Sequence, residues 1–480
     1  MLKKILPLFP LFLITNVQAQ TCNCKESYQW VKKTFEENDA GYAYILKTKG
    51  QQAYELHNGL TLKKVEKITQ LDDCLEELKN WVRFFRTDHF RFTKTKEAIS
   101  VQEAAGNSKP VRDSQFSPEE FKKYLSGKKT IEDIEGIWET RGSTVAIKKH
   151  DGEYRGITLS AVAPAWKAGD TKFVIKADLK SGTRYLSNFQ PKQVDKVRVL
   201  GKSVLQLDDL ILKRVLPGVA DDKGAEEYYL VKTATSPFGY KRDSSTVYVH
   251  INSFNYENKK AIDSLLKALH NTIVSTPNLI IDLRDCQGGS DVSMEKIIPY
   301  LYTNPMRSVM AEFYSTPLNN RIWEELSKRA DADKEEQETY GKIASLMKSK
   351  VGQFVNIFGK DVEETNLDTI YENPRSVGII IHENNFSTTE EFILKAKQSK
   401  KVKFFGRKTG GALDVSNMIE AVAPQGNFVF EYCISRSLRI PEFPVDDMGI
   451  HPDFYLDKSI PENEWVNYTS KILNYSRRAH

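Results

Sequence analysis

Two short runs constrain this chain more than anything else in it. Asn278-Leu279-Ile280-Ile281-Asp282-Leu283 and Val377-Gly378-Ile379-Ile380-Ile381-His382 are apolar almost without a break. A strand with one wet face alternates apolar and polar residues. A strand buried on both faces does not, and such strands belong to parallel sheets covered by helices. Both runs stop abruptly, the first at Gly288-Gly289, the second at Ser387. From about residue 225 strand and helix patterns alternate around them. Thr246 to Ile251 reads as a strand. Asn258 to Asn271 reads as a helix with Ile262, Leu265, Leu266 and Leu269 on one face. A helix is expected from near Asp291 and another over Thr388 to Lys400, and Lys401 to Phe405 reads as a strand. The pattern predicts an α/β core with functional residues at strand ends.

The flanking sequence follows other periods. Tyr28, Val31 and Phe35, then Leu71, Cys74, Leu75, Leu78, Trp81, Val82 and Phe85, keep a three-to-four spacing, so residues 20–128 are expected to be mainly helical. Residues 129–220 turn to a period of two, with turns at His150-Asp151-Gly152 and Ser181-Gly182, and predict an all-β module whose Trp138, Trp166, Tyr154 and Tyr185 are core residues. The core is expected over 221–460, interrupted by a charged, mostly helical insertion at 304–372, with a C-terminal helix or tail at 461–480. The fold class is therefore a multidomain α+β protein: helical domain, β module, α/β core.

Residues 1–19 read as a secretory signal peptide. Lys3 and Lys4 precede a short apolar run, and Val17-Gln18-Ala19 offers small residues for cleavage after Ala19. The run is too short to cross about 30 Å of hydrocarbon, and no later stretch does better. A periplasmic or secreted location follows, without an integral membrane span. The formal charge of +5 drops to +3 once Lys3 and Lys4 leave, and the remaining Lys and Arg are scattered, which argues against nucleic acid as a partner. The five cysteines leave at least one unpaired, and Cys22 or Cys24 is the expected partner of Cys74. The lone Cys-x-Cys has no second pair for zinc.

The chemistry gathers where the two runs end. Gly288-Gly289 permits a tight turn with bare amides, which suits an oxyanion. Ser387 stands where strand meets helix, at the positive end of the helix dipole. Such a serine can be a nucleophile, or merely an N-cap whose capping box is completed by Glu390.

Four ordered segments resemble the tail-specific (C-terminal-processing) and tricorn-core serine peptidase superfamily. They are Asp282-Leu283-Arg284-Asp285-Cys286-Gln287-Gly288-Gly289, Ser387-Thr388-Thr389-Glu390-Glu391-Phe392, Gly406-Arg407-Lys408-Thr409-Gly410-Gly411, and Asp446-Asp447-Met448-Gly449-Ile450-His451-Pro452-Asp453. The resemblance spans about residues 225–460 and implies a crotonase- or ClpP-like core with Ser387 as nucleophile. A serine needs a base. The family's tail-specific members place a lysine where this chain has Ala412, leaving Lys408 as the alternate. Its tricorn-like members take a histidine from an N-terminal helical region, and His89 occupies that place after the helix ending at Phe85. His382, His451, His250 and His270 compete less well. Asp446, with Asp447 as alternate, is the implied orienting acid. Gly288, Gly289 and the amide of Thr388 are the implied oxyanion hole. Asp282 and Arg284 read as structural, Arg284 with a possible hold on a substrate carboxylate. Ala163-Pro164-Ala165-Trp166-Lys167-Ala168-Gly169-Asp170 faintly echoes the peptide-binding PDZ domains of such peptidases, but a different β domain is favoured.

The sequence reading is thus an exported serine endopeptidase acting on protein or peptide through a Ser–His–Asp triad and an acyl-enzyme, with no metal and no cofactor. Its rivals are a non-catalytic ligand- or peptide-binding protein on the same core, and an esterase.

Overall fold

The central sheet grows from the apolar runs that open the sequence reading. In the computed structural model, which describes residues 22–96, 111–112, 116–128, 134–220 and 222–476, it has six strands. Their order is Phe238–Lys241, Thr246–His250, Asn278–Asp282, Ser376–Ile381, Val402–Gly406 and Phe454–Tyr455. All neighbours are parallel except the first pair. Ile281 lies opposite Ile379, and Asp282 opposite Ile380, so both runs end at the same sheet edge. Alternate residues feed opposite layers. Leu279, Ile281, Ile379 and Ile381 pack with Ile262 and Phe392 on one side, while Ile280 and Ile380 pack with Trp465 and Val466 on the other. Each such side chain contributes about 1.5–3 kcal/mol by leaving water. The helix Trp465–Ser476 therefore covers one face of the core, and 461–476 is no loose tail.

A second, antiparallel sheet is built on the long strand Phe428–Ser437. It pairs with Val415–Val422, with Ala311–Tyr314 and with Arg91–Lys94. The N-terminal region is thus stitched into the core by a strand. Four helices, Cys24–Asn38, Tyr42–Lys49, Gln51–Val65 and Leu71–Val82, come first; Phe35 and Trp81 on them and Phe85, just beyond the last, which ends at Val82 rather than Phe85, share a core with Phe428, Phe430 and Tyr432 of that sheet. A Cys24–Cys74 disulfide joins the first and fourth helices, leaving Cys22, Cys286 and Cys433 free.

The β module is one nine-stranded antiparallel sheet over residues 136–216. Trp138 and Tyr154 lie in its core, Trp166 is buried, and Tyr185 is only half-buried. Two expectations need correction. Residues 304–372 hold two helices, Arg321–Leu326 and Lys334–Ser349, but also four short strands, because Ala311–Tyr314 finds an open edge of the second sheet. After Asp291 there is only a 3₁₀ turn and the short helix Ile298–Leu301. The predicted signal peptide lies outside the described residues.

Candidate active site

Ser387 follows the strand Ser376–Ile381 across a short loop and immediately precedes the helix Thr388–Ala396. Its backbone sits at φ 55°, ψ −130°, a left-handed conformation that costs a non-glycine residue about 1–3 kcal/mol and persists only when its surroundings fix it. The fixing is visible. Its amide donates to Ala412 O at 2.8 Å. Asn385 Nδ2 donates to Leu283 O and Cys286 O at 2.7 and 2.9 Å, and Thr388 Oγ1 to Gly289 O and Asp291 Oδ1 at 3.0 and 2.8 Å. The two strand-end loops are thereby locked together. The capping-box alternative does not hold. The Ser387 side chain caps nothing, and Glu390 turns away to another segment.

The glycine turn is built for close approach. Gly288 has φ 119°, and a Cβ there would lie 2.9 Å from Ser387 Cβ. Gly289 has φ 145°, and a Cβ there would lie 2.2 Å from the Phe254 and Asn255 backbone. Thr388 is the first residue of its helix, so its amide has no intrahelical acceptor.

His89 lies on the loop after the fourth helix, also left-handed at φ 56°. The Asp88 carboxylate accepts the His89 amide at 2.7 Å. Arg86 Nε donates to His89 O at 3.3 Å, while its guanidinium pairs with buried Asp39. The ring is buried, and its Nδ1 lies 2.6 Å from Val415 O, so Nδ1 carries the proton and Nε2 is left as the acceptor. Burial lowers the imidazole pKa, the Val415 carbonyl opposes this, and Arg86 lowers it further. The neutral imidazole is favoured.

The expected hydrogen bond from His89 to Asp446 is absent; a backbone carbonyl takes its place. Asp446 instead accepts the amides of Leu413, Asp414 and Val415 at 2.6, 2.7 and 3.3 Å. Buried Glu390 accepts those of Gly411 and Ala412, both at 2.9 Å, and also the Thr409 hydroxyl. Five consecutive amides, 411–415, thus rest on two carboxylates. From this one segment the carbonyl of Ala412 holds the Ser387 backbone, and that of Val415 holds the His89 imidazole. Burial, and for Asp446 also the charge of Asp414, raises these carboxyls, Glu390 to about 7 and Asp446 to about 6. Arg439 closes the frame, pairing with Glu391 at 3.0 Å and Asp414 at 3.3 Å.

Ser387 and His89 line one cavity of about 730 Å³, with Gly289, Thr388, Leu413 and Arg439. Met310 and Phe313 from the 304–372 segment form part of its wall. The alternates lie elsewhere. Lys408 is exposed and donates to Met448 O, and Asp447 accepts the Thr87 hydroxyl at 3.1 Å. Neither lines the cavity, nor do His250, His270, His382 and His451. Arg284 is 1% exposed and sealed against Asp282, so it meets no ligand. Arg439 and the Val415 carbonyl escaped the sequence reading, and Glu390 entered it only as a capping-box residue, not as the acceptor of the Gly411 and Ala412 amides. Glu390 gave one signal, an acid in the first turn of the helix after Ser387; a carbonyl gives none. Among the described residues no cluster of His, Cys, Asp and Glu could hold a metal.

Residues 245–456 match the model of Peptidase family S41. None of the curated proteins matches the chain. Among solved structures it is similar to mature CPAF complexed with lactacystin, at 12% identity and a TM-score of 0.50, covering 95% of this chain and 98% of that one. A putative peptidase from Parabacteroides merdae matches at 12% identity and a TM-score of 0.42, covering 94% and 97%. The tricorn protease matches at 12% identity and a TM-score of 0.42, covering 95% of this chain and 37% of that one. At these identities the likeness concerns the fold.

Proposed function

We propose, from the premise that residues 245–456 are a tail-specific and tricorn-like Peptidase family S41 domain and that the chain is a serine-type peptidase, that it is an exported endopeptidase using Ser387 and His89. The observation that supports this best is the shared mooring. One carboxylate-held segment, 411–415, fixes both the nucleophile and the base, and both face the same cavity.

In this mechanism His89 Nε2 takes the Ser387 proton as Oγ attacks the scissile carbonyl. The amides of Thr388 and of Gly288 or Gly289 receive the oxyanion. The protonated imidazole returns its proton to the leaving amine, and water then releases the acyl-enzyme. Asp446 is a positioning residue, acting through the Val415 peptide. The substrate is a peptide segment of a protein. The wall supplied by 304–372 governs access to the cleft. Export rests on the basic and apolar start of the sequence, and no helix among the described residues is long and apolar enough to cross a membrane.

A fluorophosphonate probe tests the reading. Labelling is expected at Ser387, absent in Ser387→Ala and reduced at least 100-fold in rate in His89→Ala, the scale of general-base catalysis. Labelling that survives His89→Ala unchanged would remove His89 from the mechanism. Comparing peptide with ester turnover separates a peptidase from an esterase. A protein that binds peptide but resists the probe would be a non-catalytic binder.

A further inference from the structure

Ser387 is not the only residue with a side chain that holds a left-handed backbone at the strand ends. Asp285, on the loop that leads from the strand Asn278–Asp282 to Gly288-Gly289, has φ 68°. A non-glycine residue keeps such a conformation only where its surroundings fix it, and such residues gather at functional sites. Here the fixing comes through the side chain. Asp285 Oδ2 accepts from Lys232 Nζ at 2.5 Å, and Oδ1 accepts from Asn384 Nδ2 at 2.9 Å.

The three residues come from three separate parts of the chain. Lys232 lies in the last turn of the helix Lys223–Thr233, and Asn384 on the loop that carries Ser387. That helix is itself moored. Buried Tyr228 donates to Glu462 Oε2 at 3.2 Å, and the Lys232 ammonium lies 5.6 Å from the Tyr228 ring centroid. Glu462 O in turn accepts from Arg284 Nη1 at 2.5 Å. Arg284 and Asp285 are therefore both tied down, one to Glu462 and the other to Lys232. Asp285 and Lys232 are half-buried, and neither they nor Asn384 line the Ser387 cavity. Burial raises the Asp285 pKa, but the charge of Lys232 and the donors Lys232 and Asn384 outweigh it, so the carboxylate stays ionised below the usual aspartate value.

We propose that Asp285 and Lys232 are positioning residues for the peptidase reaction, their ion pair holding the Gly288-Gly289 turn and the Ser387 loop at a fixed spacing. This rests on the reading of Ser387 as nucleophile. Asn385 also joins the two loops, but through main-chain carbonyls. Asn384 joins them through the Asp285 carboxylate, and Lys232 fixes where that carboxylate points. Without the ammonium the carboxylate turns toward water, and the left-handed turn and the Asn384 amide lose their common holder. Substitution of Asp285 by Asn isolates the charge, because Asn tolerates left-handed backbone as well as Asp does.

The test uses the full chain as Lys232→Met, as Asp285→Asn and as the double variant. Fluorophosphonate labelling of Ser387 is expected to slow by about 10- to 100-fold in each single variant, the scale of a misplacement of about 1 Å. The double variant should be no slower, because one pair is broken either way. Peptide turnover should lose kcat with KM little changed, since neither residue meets substrate. Amide hydrogen exchange should quicken over residues 284–290 and 382–389 in every variant and hold steady in the N-terminal helices. Labelling at the parent rate, losses that add in the double variant, or a change confined to KM would overturn the proposal. Unchanged exchange in both segments would overturn it too, whether or not the parent chain is labelled. A parent chain that resists the probe sinks instead the reading of Ser387, and with it the catalytic meaning of the pair.

Discussion

At the scale of single residues, the site depends on backbone positions that side chains resist. Gly289 is one, because a methyl group there would meet the backbone of Phe254 and Asn255 at 2.2 Å and φ is 145°. Gly289→Ala is expected to destabilise the fold by more than the about 1 kcal/mol of an ordinary Gly–Ala exchange, measured by urea unfolding, and to lose probe labelling with it. Asp446→Asn can keep its oxygen on the Leu413 and Asp414 amides only by setting its own N–H against the Val415 donor, and it removes the charge from all three bonds. It is expected to lower kcat by about 10- to 100-fold, from roughly 1.5–3 kcal/mol of charged hydrogen bonding, with KM little changed because Asp446 meets no substrate. A change confined to KM would show that it does not position the base. That Ser387, Gly288 and Gly289 come together at the strand ends was legible because a strand-to-helix turn and a close backbone approach need particular residue types. The acceptor of the His89 proton was not, because it is a main-chain carbonyl that any residue would present.

At the scale of the element, the segment 411–415 makes a prediction about pH. Glu390 is raised from 4.5 to about 7 by burial, although Thr409, Ala412 and Gly411 donate to its charged form. A carboxyl raised in the folded state binds more protons folded than unfolded between those two values. Its contribution to stability is therefore present below about pH 4.5 and is lost as pH rises through 7. Activity runs the other way, since protonation removes an acceptor from the amides that moor Ser387. Probe-labelling rate should fall while melting temperature rises as pH is lowered from 7 toward 4.5. In Glu390→Gln the part of the melting curve due to this group should flatten. Parallel pH dependence in Glu390→Gln and the parent would show that Glu390 does not carry the effect. The segment itself was visible as a Thr-Gly-Gly motif. Its suspension from two carboxylates was not, because Glu390 and Asp446 lie more than fifty residues apart and meet only through the fold.

At the scale of the whole molecule, His89 is delivered to the cleft from the N-terminal part of the chain and Ser387 from the C-terminal part. The strand Arg91–Lys94 pairs with Phe428–Ser437, and buried Arg86 bridges Asp39 to the carbonyl of His89. Arg86→Met leaves Asp39 as an uncompensated buried charge. It should cost about 3–5 kcal/mol, seen as a lower urea midpoint, and should slow labelling of Ser387 although Arg86 touches no substrate. Full-rate labelling in a folded Arg86→Met protein would show that the His89 loop does not need this tie. The helical N-terminal region, the alternating β module and the parallel core were each readable, because burial imposes a period on sequence within an element. By itself the sequence determined the central strands and the residue at each strand end, since apolar runs and glycine turns are local demands of backbone geometry. Only the tertiary structure decided that Val415 rather than Asp446 meets His89 and that the 304–372 segment walls the cleft. Those are meetings of distant residues, fixed by packing and hydrogen bonding that leave no periodic trace in the chain.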